Sequence, residues 1–200
     1  GDLGPNTGGM GAHSPAGVLG SEAVTAALEE VLRPTVQAMD AENRPFRGFL
    51  YAGLMLTPDG PRVLEFNARL GDPETQPVLM RLASDVVPAL LAAAQGDLSR
   101  TALAFESRAA VGVVLAAEGY PGKVASGDAI SGLDGPFAGD VQVFHAGTAL
   151  APDGRVVTRG GRVLTVCALG HGLDDAARRA YEAARSISFR GMQLRKDIGK

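Results

Sequence analysis

Between Glu65 and Glu74 an otherwise apolar segment carries five side chains that could do chemistry: Glu65, Asn67, Arg69, Asp72 and Glu74. If Val63 to Asn67 is a strand, alternate side chains share a face. Glu65 and Asn67 then point one way, while Leu64 and Phe66 point the other way into a core. An oxygen-rich edge on a rigid strand suits a hard cation such as Mg²⁺, with phosphate oxygens completing its shell. Arg69 lies on that same face if the strand persists, placed to meet phosphate charge. An exposed polar strand end would read the same way, so the stretch by itself leaves both open.

The elements around it must position these groups. Gly48 to Thr57 is apolar on both faces, as a central strand would be, and Pro58-Asp59-Gly60 has turn chemistry. Arg62 to Asn67 should return antiparallel, so the hairpin delivers Glu65 and Asn67 from a buried strand pair. A carboxylate buried there without a partner would cost several kcal/mol, which a metal or cationic neighbour would offset. Thr75 to Leu82 reads as a helix starting beside Asp72 and Glu74. Ser84 or Asp85 caps a following helix that tolerates Pro88 in its first turn and ends at Gly96.

Upstream, residues 1 to 20 hold the glycine-rich run Asn6-Thr7-Gly8-Gly9-Met10-Gly11, whose backbone could approach an anion closely. No Gly-Lys-Ser/Thr follows, so it is not a Walker loop. His13 shows no partner and reads as structural. Ser21 reads as an N-cap, and Val24, Leu28, Val31, Leu32, Val36 and Met39 form one helical face that Pro34 should bend or divide. Downstream, Asp97 to Ser107 is polar and is the best boundary candidate. Strands are expected over Arg108–Ala117, Val141–Ala146, Thr148–Leu150, Val156–Thr158 and Arg162–Leu169, with a short piece over Gly127–Leu133. Leu173–Ile187 should be a helix, acidic at its start and ending near Arg185. The fold class is α+β: an antiparallel sheet with helices over 1–98, then a small strand-rich domain over 99–200 closed by one helix.

The 200 residues carry a formal charge of −3 with scattered basic residues, which argues against a general nucleic-acid binder. No apolar run is long enough to cross a bilayer. The single Cys167 lies in an apolar run without a charged neighbour, so a buried, inert thiol is expected. Together these features point to a cytoplasmic protein. The chain opens inside a glycine-rich loop, which suggests a further N-terminal portion.

Several blocks together resemble the glycinamide ribonucleotide synthetase family, whose members are ATP-grasp ligases of purine synthesis. They are Gly4-Pro5-Asn6-Thr7-Gly8-Gly9-Met10-Gly11-Ala12 with Ser14-Pro15, and Leu64-Glu65-Phe66-Asn67-Ala68-Arg69-Leu70-Gly71-Asp72-Pro73-Glu74-Thr75-Gln76. Gly119-Tyr120-Pro121-Gly122, Phe144-His145-Ala146-Gly147-Thr148 and Arg195-Lys196-Asp197-Ile198-Gly199 follow in the family's order. The resemblance implies the C-terminal part of an ATP-grasp domain and a ligase joining glycine to 5-phosphoribosylamine with ATP, through glycyl phosphate. It implies Glu65 and Asn67 as ligands of Mg²⁺ or Mn²⁺, and Arg69 as the phosphoryl-stabilising group. It implies substrate-orienting roles for Asp72 and Glu74, and closure of the Asn6–Gly11 loop over substrate or phosphate. The substrate phosphate could meet Arg69, Lys123 or Arg195. The family's adenine-contacting residues have no counterpart in these 200. The chain alone is therefore expected to be inactive, with the missing half as a possible partner chain. Another purine-pathway ATP-grasp enzyme and a non-catalytic assembly module are the competing readings.

Overall fold

A computed structural model describes residues 3–17 and 20–200; Gly1, Asp2, Val18 and Leu19 of the glycine-rich start, and the side chain of Ser21, lie outside the described residues. The chain forms two compact units. Unit one comprises residues 1–15, 72–81 and 106–200, and unit two comprises 16–71 and 82–105. One crossing falls within the polar stretch 97–107, but others follow Pro15, Gly71 and Arg81. The units therefore interleave in sequence, where a single division at 98/99 was expected.

Unit one is built on a four-stranded antiparallel sheet in the order β1-β4-β8-β5, with β1 at Gly11–Ser14, β4 at Ala109–Ala116, β5 at Val141–His145 and β8 at Arg162–Gly170. The central β4 is buried along its whole length, which is why its sequence, Ala-Ala-Val-Gly-Val-Val-Leu-Ala, has no polar face. Val111 and Val113 pack with Ala168 of β8 against Ala176, Ala177 and Ala180 of helix α5, Leu173–Ser186. On the opposite face a Cβ at Gly112 would lie 2.9 Å from Cys167 Sγ and 3.4 Å from Pro77. That glycine lets helix α3, Thr75–Met80, lie close to the sheet. Leu115, Leu164 and Val166 extend the core to Ile187 and Phe189. Each such side chain contributes about 1.5–3 kcal/mol when buried. Tyr181 of α5 donates through its hydroxyl to the Arg195 carbonyl at 2.9 Å and accepts from the Ile198 amide at 3.0 Å, pinning the C-terminal segment to the helix.

Strand β1 lies in the stretch expected to be a glycine-rich loop. It exists because it pairs with β4 over Gly11↔Val113 to Ser14↔Ala110, a partnership about a hundred residues away. His13 sits on it, with Nδ1 3.1 Å from the Pro15 carbonyl oxygen. The Gly127–Leu133 piece forms no strand; it makes single bridges, Ala129↔Val157 and Ser131↔Ser188. A short hairpin joins β6, Thr148–Leu150, to β7, Val156–Thr158, across the expected Pro152-Asp153-Gly154 turn.

In unit two, α1, Ser21–Ala27, continues through a π-helical turn at Leu28–Leu32 into α2, Arg33–Ala41. Pro34 falls in the first turn of α2, and the widened turn before it relieves the clash of the proline ring with the preceding carbonyls. Gly20, not Ser21, occupies the N-cap position. Helix α4, Val87–Gln95, begins where Asp85 Oδ1 accepts the Val87 amide at 2.9 Å, and it ends at Gly96 with φ +80°. Strands β2, Tyr51–Thr57, and β3, Gly60–Asn67, form the expected hairpin. The hairpin is not a buried pair. Leu64 is 65% exposed and Phe66 42%, because among the described residues β2 and β3 make a sheet of two strands and nothing covers that face.

Candidate active site

The β2–β3 register sets the polar row of unit two. Gly53 faces Glu65 and Leu54 faces Val63, so Leu64 is an extra residue bulged out of the pairing. Downstream of the bulge Glu65 and Asn67 share a face. Asn67 Nδ2 donates to Glu65 Oε1 at 3.0 Å. Arg69 Nη2 reaches Asn67 Oδ1 at 3.4 Å, and its Nη1 donates to the Leu70 carbonyl at 2.9 Å. Carboxylate, carboxamide and guanidinium thus stand side by side along one strand end. A Cβ at Gly53 would press on Glu65 Cγ at 3.2 Å, so the glycine leaves room for the carboxylate. Glu65 is exposed, which removes the expected burial penalty and with it the argument that a metal must offset that penalty.

The donor set suits a hard cation in kind, with one carboxylate and one carboxamide oxygen together. It is incomplete as a protein cage: among the described residues no group of three or more His, Cys, Asp or Glu is arranged to hold a metal ion. Phosphate oxygens and water would have to supply the rest, as is usual for Mg²⁺ beside a nucleotide.

In unit one the glycine-rich loop and the Asp72–Thr75 turn come together. Gly9 has φ +102°, and a Cβ there would lie 2.6 Å from Pro73 Cδ. Gly11 is equally constrained, since a Cβ would meet the Gly112 carbonyl and Ile198, both at 2.7 Å. The amide of Gly8 donates to the Tyr120 hydroxyl at 2.9 Å, and that of Gly9 to Thr7 Oγ1 at 3.2 Å. These two N–H groups therefore have protein acceptors, and the glycines serve close packing as well as backbone freedom. Asp72 is also engaged: its Oδ2 accepts from Arg162 Nη2 at 2.9 Å. Glu74 occupies the N-cap position of α3 and is half-buried. Beyond it, Gln76 Oε1 is buried with no hydrogen-bond partner among the described residues.

Asn6, Thr7 and Met10 share an open cavity of about 880 Å³ with Tyr120, Gln193 and Lys196. Arg195, on its wall, pairs through Nε with Asp197 Oδ1 at 2.8 Å, and this holds the Asp197 carboxyl well below the usual carboxylate range. Arg162 and Tyr120 were not legible as site residues. Tyr120 reads as part of a turn and Arg162 as the start of a strand, and the contacts that give them meaning span 112 and 154 residues. Cys167 is fully buried, and burial pushes its thiol up to about 12, so it takes no part in the chemistry.

Comparison with known proteins bears on the whole chain. Residues 1–75 match the family model described as phosphoribosylglycinamide synthetase, ATP-grasp (A) domain, and residues 110–200 match that for the C domain. A phosphoribosylamine–glycine ligase of Caulobacter vibrioides is 53% identical over 200 residues, covering 100% of this chain and 47% of the relative. The Salmonella typhimurium enzyme of the same name is 51% identical, with 47% of its length covered. The crystal structure of phosphoribosylamine–glycine ligase from Thermotoga maritima superposes with a TM-score of 0.84 at 38% identity, over 98% of this chain and 48% of that one. A biotin carboxylase domain of a thermophilic 2-oxoglutarate carboxylase shares the fold, with a TM-score of 0.61 at 17% identity. The chain spans about half the length of the curated relatives it matches. With two domain models of one family matched in order and a solved phosphoribosylamine–glycine ligase superposing along nearly the whole chain, this chain belongs to the phosphoribosylglycinamide synthetase family.

Proposed function

We propose that these residues form the metal- and phosphoryl-handling part of a ligase that joins glycine to 5-phosphoribosylamine, with ATP cleaved to ADP and phosphate. The observation that carries this reading is the contiguous Glu65–Asn67–Arg69 row on one strand end, in a chain that matches the ATP-grasp (A) and C domain models of that family. In the first step a glycine carboxylate oxygen attacks the γ-phosphorus of ATP, forming glycyl phosphate and releasing ADP. In the second the amine of 5-phosphoribosylamine attacks the acyl carbon, the amide C–N bond forms, phosphate departs and the amine loses a proton.

Both partners of the first step are anions, so their repulsion has to be screened. Glu65 and Asn67 would hold the divalent cation, Mg²⁺ or Mn²⁺. When bound, such an ion draws the phosphate oxygens together and neutralises charge on the transferring group. Arg69 adds a fixed positive charge where negative charge gathers on the equatorial oxygens. Its Nη1 bond to the Leu70 carbonyl keeps the guanidinium close to the strand end, so the charge is pre-positioned. Glu74 can hold an ammonium or hydroxyl group of the amine-bearing substrates, whereas Asp72 is turned toward Arg162. Asn6 and Thr7 offer side-chain polar groups to the cavity, and Lys196 supplies a cation for a substrate phosphate.

The test is a chimera in which residues 1–200 replace the matching segment of the Caulobacter vibrioides relative. Phosphate release that requires both glycine and phosphoribosylamine supports the reading. Release supported by a carboxylation substrate in their place would overturn it in favour of a different ATP-grasp reaction.

A further inference from the structure

We propose that Arg162 and Tyr120 are positioning residues that lock the glycine-rich loop and the Asp72–Thr75 turn into one substrate-facing wall; the catalytic part of this inference rests on the ligation reading above. Arg162 Nη1 donates to the Gly8 carbonyl at 2.7 Å and to the Asp72 carbonyl at 2.7 Å, with the Gly9 carbonyl at 3.5 Å. Its Nη2 donates to Asp72 Oδ2 at 2.9 Å. One guanidinium therefore ties together two segments that lie 154 and 90 residues away from it in sequence. The side chain is only 22% exposed, and both terminal nitrogens are directed at protein oxygens, so its job is tethering and not capture of a substrate anion.

Tyr120 grips the same point from the other side. Its hydroxyl accepts the Gly8 amide at 2.9 Å. A Cβ at Gly8 would lie 3.2 Å from that hydroxyl and 3.4 Å from Arg162 Cζ, so Gly8 is held between the two side chains. The tyrosine ring is itself seated on Gly161, where a Cβ would come within 2.4 Å of the ring. Residues 161 and 162 thus provide both halves of the grip, one by lacking a side chain and one by having a forked one. A lysine could not reproduce the planar fork that reaches Gly8 and Asp72 together. The polar side chains of Asn6 and Thr7 precede the anchor directly and line the cavity, while Glu74 follows Asp72 by two residues. Releasing the anchor lets both drift, and a displacement of about 1 Å near reacting groups can lower a rate about 100-fold.

Hydrogen exchange on the chain, and kinetics on the chimera, test this. Arg162→Met should raise exchange of the Gly8–Met10 amides about 10- to 100-fold, matching the loss of charge-assisted bonds. Tyr120→Phe should raise it about 3- to 10-fold. Amides of β4 and β8 should stay within about twofold in both, which separates loop release from unfolding. In the chimera Arg162→Met should lower kcat/KM for glycine and phosphoribosylamine about 10- to 100-fold, leaving KM for ATP within about twofold. Arg162→Lys should recover little of either loss. Unchanged loop exchange in both Arg162→Met and Tyr120→Phe would overturn the tether. Raised exchange with unaltered kcat/KM would overturn the positioning role. A parent chimera that does not ligate would refute the ligation reading, while the exchange experiment still decides the tether.

Discussion

Arg81, at the C-terminal end of α3, ties three segments of unit one together through one side chain. Its Nε donates to the Arg108 carbonyl at 2.7 Å, Nη1 to Ser14 Oγ at 2.7 Å, and Nη2 to the Glu106 carbonyl at 2.9 Å. The Arg81 carbonyl in turn accepts the Glu106 amide at 2.7 Å. One residue therefore fastens the end of α3, the end of β1 and the segment entering β4. Arg81→Met keeps most of the aliphatic stem and deletes every charged donor. A hydrogen bond to a charged group contributes about 1.5–3 kcal/mol, so three independent bonds would total about 4.5–9 kcal/mol. Arg81 is half-buried, and water can rejoin part of what is exposed, so about 3–5 kcal/mol is expected. For a chain of this size that corresponds to a melting point lower by about 6–20 °C. Arg81→Lys retains the charge but reaches one acceptor at most, and should recover less than half of the loss. The assay is a thermal melt followed by circular dichroism, with urea unfolding to check the sign. A shift below about 2 °C for Arg81→Met would show that the three bonds contribute almost nothing net.

Two further outcomes follow from the charge and burial of unit one. Asp175 is held down to about 2 by its bond from Arg178, then by the His171 amide and Arg179. Its folded pKa is depressed, so its stabilising effect is present above the unfolded value near 3.9 and is lost as pH falls toward 2. The melting point should therefore drop between about pH 4 and 2, and Asp175→Asn should flatten that drop; an identical pH profile in the variant would contradict the assignment. Cys167, fully buried and with its thiol raised to about 12, should react with a thiol reagent at pH 8 more than about 100-fold slower folded than in denaturant. Equal rates would show that the β4–β8 core opens readily.

What could be read in advance follows from where each signal resides. Strands β4 and β8 and helix α5 announce themselves, because a continuous apolar run and an amphipathic helix with acidic residues in its first turn are local patterns. The β2–β3 turn is legible for the same reason, and so is the shared face of Glu65 and Asn67. The exposure of that hairpin is not, since apolar residues on both faces state that cover is needed and not whether this segment has it. Strand β1 is invisible because Gly-Ala-His-Ser, at the end of a glycine-rich run, carries no strand pattern of its own, and pairing to β4 decides the matter. Arg162 and Tyr120 fail for a related reason: a tether is defined by what it joins, and its partners are distant in sequence. The same holds for the interleaved units, whose crossings at 15, 71 and 81 leave no mark in composition.

The proposed role of the Glu65–Asn67–Arg69 row is to hold a divalent cation and the transferring phosphoryl group. The most direct measurement is Mg²⁺-dependent, glycine- and phosphoribosylamine-dependent ADP release by the chimera carrying Glu65→Ala with Asn67→Ala, alongside the parent. A fall of about 100- to 1,000-fold or more in kcat is expected, with circular dichroism and melting point little changed, because Glu65 is exposed and Asn67 only half-buried at the strand end. Turnover and Mg²⁺ dependence equal to the parent's would contradict that role, and would place the metal elsewhere in the enzyme.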